Sequence, residues 1–243
     1  MITKTPSIWL QNYPLSHSEQ LFAIFSSASA AEPFKVWQRS LSTHALSPIW
    51  AETIYSEWET VMPYAGIVAA DSEFLGWVAT TESRDWGWLA VSSVSLEVLV
   101  EHLCSLTKVT LPNGKAVFFR FWDGRYLLPI LQSADVKASE LLPVIGRCLI
   151  NGQSVDIGGS ALKTSRVFPW WEVSDSLLLH LGAVDASTHT SNLLQWLNEE
   201  HQSLFEAFSE NVLRRKVETF LARPGLPSGL KGELLAYLME ELS

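Results

Sequence analysis

The sequence predicts an α/β N-terminal lobe, in which helices flank a mixed sheet, followed by a smaller all-helical C-terminal lobe. Strand-like and helix-like segments alternate through the first two thirds of the 243 residues, and a continuous helical pattern begins near residue 190. We therefore expect the α/β lobe at 1–157, a linker or hairpin region rich in Gly, Ser and Thr at 158–189, and the helical lobe at 190–243.

The strands of the first lobe are predicted from short apolar runs that are rich in β-branched and aromatic residues. These runs are 21–25, 61–70, 86–93 and 116–122. The run at 21–25 is ambiguous, because Ser16 and Glu19 have the spacing of a helix capping box in front of it. We predict a strand there, since the segment that follows at 33–41 has the pattern of a helix.

The clearest helix of the first lobe covers 95–106, with Ser95 as its predicted N-cap. Its apolar residues recur at helical spacing and form one face: Leu96, Leu99, Val100, Leu103 and Leu106. Further helices are predicted at 33–41, at 72–81 and after Gly124. The two Asn-Gly pairs, at 113–114 and 151–152, predict the turns of two β-hairpins.

The second lobe is predicted as an αα-hairpin. Its first helix is expected to run without a break up to Pro224-Gly225. One apolar stripe follows that helix: Leu193, Leu197, Leu204, Phe208, Val212 and Phe220. A second helix repeats the pattern with Leu230, Leu234, Leu238 and Leu242.

Composition favours a protein that binds other proteins. A formal net charge of -9 argues against a surface that follows nucleic-acid phosphates, and we expect no nucleic-acid partner. Eleven tryptophans are a large number for this length, and Trp is favoured both in cores and at interfaces. Because there is neither a secretory signal pattern nor an apolar run of 18 residues, we expect a cytoplasmic protein without a membrane partner.

The motifs of common catalytic and cofactor sites are absent from the sequence. There is no nucleophile elbow, no phosphate-binding loop, no dinucleotide fingerprint and no zinc-protease motif. The six histidines are scattered, and the two cysteines, Cys104 and Cys148, are 44 positions apart and are expected to be reduced thiols. His102, beside the apolar face of its helix, is interpreted as a structural histidine. We therefore expect no catalytic residue, no metal and no cofactor.

The segment 118–131, FFRFWDGRYLLPIL, places an arginine inside an aromatic run that breaks at Asp-Gly-Arg. A strand would put Arg120 on one face with Phe118 and Trp122, where a buried guanidinium needs a carboxylate partner. Asp123 is the obvious candidate, which predicts a structural Arg120–Asp123 ion pair at a strand-to-helix turn. Alternatively, or in addition, Trp122 and Arg125 are part of a docking surface at the sheet edge.

Three segments in order, 93–109, 111–131 and 141–148, make the chain recognisable. They resemble the effector-adaptor (effector-chaperone) family of the bacterial type VI secretion system. That family has a helix ending in His-Leu, a turn, and a strand close to Phe-Arg-Phe-Tyr-Asp-Pro-Arg before a leucine-rich helix. The residues that match are His102, Leu103, Phe119, Arg120, Phe121, Asp123 and Arg125. Trp122 and Gly124 depart from the family's tyrosine and proline, and the resemblance covers about residues 20–150.

The resemblance implies a role without catalysis. Members of that family bind a toxin effector in the producing cell and help to load it onto the VgrG spike protein. We expect the α/β lobe to be the effector-adaptor lobe, with Trp122 and Arg125 among the partner-binding residues. Trp170 and Trp171 belong to the same surface if they are exposed, or join the lobes if they are core residues.

Two other classes of function remain open at the level of the sequence. The first is an immunity-type or structural binding protein that makes no contact with the spike. The second is a small hydrolytic enzyme that uses Asp123 and Arg125, which would require a pocket where those side chains converge with another carboxylate or a histidine.

Overall fold

The computed structural model describes residues 4–40, 43–161, 166, 169–184, 186–223 and 230–240. The chain divides into two compact units, Met1–Leu177 and Leu178–Ser243. The first unit combines a sheet with helices and the second is helical, which confirms the predicted fold class. The boundary between the units lies inside the segment 158–189 that the sequence analysis treats as a linker.

A six-stranded sheet forms the centre of the first unit, with the strand order β2-β3-β1-β4-β7-β8. Its strands are β1 (Gln20–Ser26), β2 (Thr43–Pro48), β3 (Pro63–Val68), β4 (Gly87–Ser92), β7 (Arg147–Ile150) and β8 (Gln153–Asp156). A separate hairpin consists of β5 (Lys108–Thr110) and β6 (Ala116–Phe118). Neighbouring described strands pair antiparallel in both sheets, rather than in the mixed directions that the sequence analysis expected.

The ambiguous run at 21–25 is a strand, as predicted. Glu19 does not cap a helix here: its carboxylate accepts a hydrogen bond from the Ser16 amide at 2.9 Å and pairs with Arg147 on β7 at 2.6 Å. Only half of a capping box is present, since the Glu19 amide donates to the backbone carbonyl of Ser16 at 3.1 Å and not to its side chain, and the two bonds close a turn that leads into β1. Asn151 and Gly152, both with positive φ, form the tight turn between β7 and β8 and confirm the second hairpin.

Three helices pack on one face of the central sheet: α1 (Pro6–Asn12), α2 (Pro33–Arg39) and α3 (Glu73–Thr80). Each contributes a large apolar side chain, and these are Trp9, Trp37 and Phe74. They bury the side chains of β1 that point to this face, Leu21, Ala23 and Phe25. Fully burying one such side chain stabilises the fold by about 1.5–3 kcal/mol, so this layer is a major part of the core.

On the opposite face, α4 (Leu96–Ser105) packs against β2 and β3, and the start of α5 (Gly124–Gln132) lies against Ile150 of β7. Trp88 points to this side of β4, and its indole Nε1 donates a hydrogen bond to the Phe121 carbonyl at 2.9 Å. Ser95 caps α4 as predicted, accepting from the Val98 amide. The short helix α6 (Ala138–Leu141) follows before the chain returns to the sheet as β7.

The helix that joins the two units in sequence is α7 (Asp175–Val184), so the end of the predicted linker is helical. The second unit then contains α8 (Ala186–Glu200), α9 (Gln202–Glu206), α10 (Glu210–Leu221) and α11 (Leu230–Glu240). The predicted turn at Pro224-Gly225 lies outside the described residues.

The prediction of one unbroken helix before that turn is wrong. The backbone leaves the helical region at His201 and again at Ser209, which lets α10 fold back against α8. The break also changes which side chains are buried: Val212 is exposed, and Leu213 and Val217 lie in the core instead. Residues at helical spacing lie on one face only if the helix is continuous. A non-helical residue changes the direction in which the following side chains point, so the predicted stripe no longer applies beyond it.

Within the described residues, no helix has the length and apolar character that crossing a membrane requires. Cys104 and Cys148 are both free thiols, and Cys148 is fully buried.

His102 is a buried structural histidine, as the sequence indicates. Its Nε2 lies 3.0 Å from the Leu141 carbonyl oxygen, and the ring faces Trp170 at 6.3 Å between centroids. Burial lowers the pKa of His102 to about 4, the hydrogen bond to Leu141 opposes this shift, and the charge of Arg166 adds to it. The imidazole of His102 is therefore neutral in the folded state.

We expect the free energy of unfolding to fall as the pH drops from about 6.5 to about 4, by on the order of 3 kcal/mol. The unfolded chain binds a proton at His102 in this range and the folded chain does not, so acid favours unfolding. Urea unfolding across this pH range tests this, with His102→Gln as the variant. A variant whose stability falls with pH as steeply as that of the natural chain would contradict the assignment.

Candidate interaction surface

The chain leaves the β5–β6 hairpin earlier than the sequence predicts. The predicted strand at 116–122 ends at Phe118, and the Phe119 amide then donates to the Thr107 carbonyl at 3.0 Å. The predicted alternation holds as far as Phe121, because Phe118 and Arg120 are exposed while Phe119 and Phe121 are buried, and it ends at Trp122. Phe119, Phe121 and Trp122 are all buried.

Asp123 is the buried carboxylate of the turn into α5. Its side chain is 1% exposed, whereas those of Arg120 and Arg125 are each 46% exposed. Asp123 Oδ2 accepts from Arg120 Nη2 at 2.9 Å, so the structure contains the predicted Arg120–Asp123 pair. The sequence analysis expected the guanidinium to be the buried partner, and this is wrong: the short carboxylate is buried and the long cation reaches it from the surface.

Arg125 belongs to the same ion-pair cluster. Its Nε and Nη2 donate to the two oxygens of Asp123 at 3.1 and 2.8 Å, and its backbone amide donates to Asp123 Oδ1 at 3.0 Å as the N-cap bond of α5. Hydrogen bonding to Asp123 raises the pKa of Arg125 above its ordinary value. Its role in partner binding stays a prediction, because the structure shows a bidentate structural bond.

Asp85 extends this cluster to two loops at the other side of the turn. Its carboxylate lies 3.4 Å from Arg125 Nη2 and accepts from Ser83 at 2.6 Å and from Ser29 at 3.2 Å. Partial burial opposes ionisation of Asp85, but the Ser83 hydrogen bond and the Arg125 charge outweigh it and lower its pKa. The carboxylates of the cluster therefore hold loops in place.

Gly124 lies where α5 comes closest to the sheet. A Cβ at this position would be 2.9 Å from Ile150 Cγ2 and 3.2 Å from the Gly87 carbonyl oxygen. Its φ is not positive, so glycine is needed here for space rather than for an unusual backbone conformation.

An exposed aromatic surface lies beside this turn, and we define it as Tyr55, Trp58 and Phe118. Their ring centroids are 5.1–5.5 Å apart, so the three rings form one contiguous cluster. Tyr55 is the buried member of the cluster, with 5% exposure, while Trp58 is 45% and Phe118 39% exposed. Ile54, in the same loop as Trp58, is 86% exposed.

Buried tryptophans support the aromatic surface from below. Trp50 contacts Phe118 at 6.1 Å and Trp58 at 6.3 Å between centroids, and Trp122 stands edge-on to Trp50 at 5.3 Å. Trp122 is therefore a buried support of the surface, and its predicted contact with a partner stays a prediction. The sequence predicts a docking surface at this turn, but the exposed rings of Trp58 and Phe118 are not among the predicted residues.

The loop 49–62 holds Trp58 in place through its own hydrogen bonds. Trp50 Nε1 donates to Thr107 Oγ1 at 2.9 Å, which fixes the start of the loop to the end of α4. Successive turns follow, with amide-to-carbonyl bonds from Thr53 to Trp50 and from Trp58 to Tyr55. The exposed rings are thus presented by an ordered loop, where their exposure is a fixed property of the fold.

The loop could have been noticed in the sequence. The stretch AETIYSEWET at 51–60 matches no helix or strand pattern, yet it carries Ile54, Tyr55 and Trp58 among polar and acidic residues. Bulky apolar side chains in a segment with no periodicity have no core face to occupy. That combination is the signal that the sequence analysis overlooked.

Trp170 and Trp171 are both half-buried. Trp170 Nε1 donates to Ser105 Oγ at 3.0 Å, and the guanidinium of Arg166 lies 4.0 Å from its ring centroid. Trp171 contacts Phe119 at 5.4 Å, and its carbonyl accepts from the Thr110 amide at 2.9 Å. Both contribute contacts within the first unit, and their part in partner binding stays a prediction.

The ion-pair cluster leads to a testable prediction for Asp123. We expect Asp123→Ala to lower the free energy of unfolding by about 2–4 kcal/mol, because it removes both the N-cap and the charge-assisted bonds to two arginines. Asp123→Asn keeps the cap and should lose less. Arg125→Ala should cost more than Arg120→Ala, since Arg125 has the bidentate bond. Chemical denaturation of the four variants checks this order, and equal losses for both arginines would contradict it.

The close contact of α5 with the sheet leads to a testable prediction for Gly124. Gly124→Ala should lower the free energy of unfolding by about 1–3 kcal/mol, because the added methyl group overpacks the contact with Ile150. Gly76→Ala, inside α3 with nothing within 4 Å of the new methyl group, is the matched control. It should instead gain about 0.5–1 kcal/mol from helix propensity. Thermal or urea unfolding distinguishes the two signs.

Comparison with known proteins finds a similarity for part of the chain. No curated protein and no solved structure matches the chain. Residues 21–140 match the family model described as a domain of unknown function (DUF4123). The matched segment contains both the Asp123 cluster and the aromatic surface, and in this segment the chain is similar to that family.

Proposed function

We propose that this chain is an adaptor that binds a toxin effector of the type VI secretion system and helps to load it onto the VgrG spike protein. The single observation that carries the binding role is the contiguous aromatic surface on an ordered loop and hairpin, in which Trp58 and Phe118 are exposed and both contact the buried Tyr55. The resemblance of residues 20–150 to the effector-adaptor family supplies the identity of the partners.

The geometry of the motif is consistent with this role. Arg120, Asp123 and Arg125, which carry the resemblance, bond to one another and fix the turn into α5. Directly before this turn, Trp122 supports the aromatic surface through Trp50. The family-like residues thus act as the frame of a surface rather than as reacting groups.

An exposed aromatic cluster suits a protein partner. Trp and Tyr are enriched among the residues that dominate binding energy at protein interfaces, where they fill pockets in the centre of the contact. An ordered loop reduces the entropy lost on association, because its side chains are already positioned. A loading factor must bind firmly in the cell and release later, which a surface of this modest size permits.

The hydrolytic alternative has less support from the geometry. Both oxygens of Asp123 accept hydrogen bonds from Arg120, from Arg125 or from the Arg125 amide, so the carboxylate has no free position from which to activate water. Among the described residues, no group of three His, Cys, Asp or Glu side chains has the arrangement of a metal site.

The test is co-purification of the tagged chain from its native host, with the secretion machinery expressed. We expect a toxin and the VgrG spike protein to be retained at near-stoichiometric amounts. Trp58→Ala should reduce toxin retention about tenfold or more, since a central aromatic side chain contributes about 2 kcal/mol or more at an interface. Tyr13→Ala, at a similarly exposed aromatic residue of the α1 end, is the matched control and should retain the toxin.

Two results would contradict the proposal. If neither toxin nor spike is retained, the adaptor function is wrong. If a toxin is retained without the spike, and expression of the chain protects a cell against that toxin, the immunity-type alternative is correct.

A further inference from the structure

We propose that the aromatic surface binds a cationic amphipathic segment of its protein partner, in which Arg or Lys side chains accompany apolar ones. This inference rests on the proposed partner-binding function and specifies the chemistry of the segment that is bound. The charges that surround Trp58 support this inference.

The loop that presents Trp58 is strongly acidic. The stretch 51–60 contains Glu52, Glu57 and Glu59 and neither Lys nor Arg, so its formal charge is -3. Glu57 and Glu59 are the direct neighbours of Trp58 in the chain, and all three carboxylates belong to exposed residues. The exposed face of the indole is therefore bordered by negative charge.

These carboxylates are available to a partner. In the part of the chain that the structure describes, none of the three lies within 4 Å of a Lys, Arg or His nitrogen. By contrast, the carboxylates Asp85 and Asp123 nearby in the same unit are already bonded to Arg125. The acidic charge next to Trp58 is thus not used by the fold.

The rings of the surface already accept a cation. Lys108 Nζ lies 5.6 Å from the ring centroid of Tyr55 and 5.2 Å from that of Phe118. Within the described residues, no Lys or Arg occupies the Trp58 ring in the same way. Trp is the best cation–π acceptor of the three ring types, so the strongest acceptor of the cluster is the one left to a partner.

A cationic amphipathic segment satisfies all of these features at once. A guanidinium or ammonium group can lie on Trp58 while it pairs with Glu57 or Glu59, and the apolar side chains of the segment cover Ile54 and Phe118. An acidic segment or a nucleic-acid backbone is repelled by the same carboxylates. A neutral apolar segment would leave them unpaired at the edge of the contact.

The experiment uses the full chain and two short synthetic amphipathic peptides. One peptide combines leucines with arginines, the other has glutamates in place of the arginines, and both carry a benzophenone group for photo-crosslinking. Binding is measured by calorimetry at low and high salt. We expect the arginine peptide to bind, to crosslink to the region around 51–60 and 118, and to bind less tightly as salt rises.

The double variant Glu57→Gln/Glu59→Gln tests the role of the charges. We expect it to weaken binding of the arginine peptide about three- to tenfold and to flatten the salt dependence, as two exposed ion pairs predict. Glu73→Gln/Glu82→Gln is the matched control, because it changes the net charge equally at two exposed positions next to α3, on the opposite face of the sheet. The control should bind as the natural chain does.

The inference is overturned if neither peptide binds, if both bind equally, if the crosslinks lie elsewhere, or if the two double variants behave alike. Its failure is distinct from failure of the adaptor function. A chain that retains toxin and spike but does not prefer the arginine peptide remains an adaptor and uses another chemistry. A chain that prefers the arginine peptide but retains neither protein has a cationic-segment site and is not an adaptor.

Discussion

The ion-pair cluster of the buried Asp123 carboxylate is the interaction on which the turn into α5 depends. It bonds two arginines and caps α5, and through Arg125 it reaches Asp85 and the loops that hold Ser29 and Ser83. A charge at 1% exposure is tolerated only because these donors replace the water that it loses. These bonds fix the start of α5, and Trp122, which contacts Trp50 next to the aromatic surface, directly precedes Asp123 in the chain.

The residues around Asp123, Gly124 and Trp88, which we call the frame, differ from the aromatic surface in how completely their groups are satisfied within the fold. The frame is built from groups whose hydrogen bonds are complete, with a tight contact at Gly124 and a buried Trp88 that bonds to the Phe121 carbonyl. The aromatic surface instead leaves Trp58 and Phe118 partly exposed, and the neighbouring Glu57 and Glu59 form no ion pair within the described residues. Such an arrangement is stable because the loss at the surface is small compared with the burial beneath it, and it leaves side chains ready for another molecule.

Much of the frame is readable from the sequence, because local patterns encode it. The run 21–25, the capped helix at 95–106 and the Asn-Gly turns each carry a signal within a few residues, and so does the Arg120–Asp123 pair. The break at His201 has no comparable signal, since it depends on α10 packing against α8. The exposed rings were missed for a similar reason: only the fold brings residues 55–58 next to 118.

The bond between Trp50 and Thr107 joins residues 57 positions apart in sequence, and the rings of Trp58 and Phe118 are separated by a similar length of chain. The aromatic surface therefore forms only when both of these segments have been synthesised and folded together. The chain between its two halves contains β3, α3, β4 and α4. A molecule that recognises both halves of this surface can therefore bind only a chain in which the two segments have already been brought together.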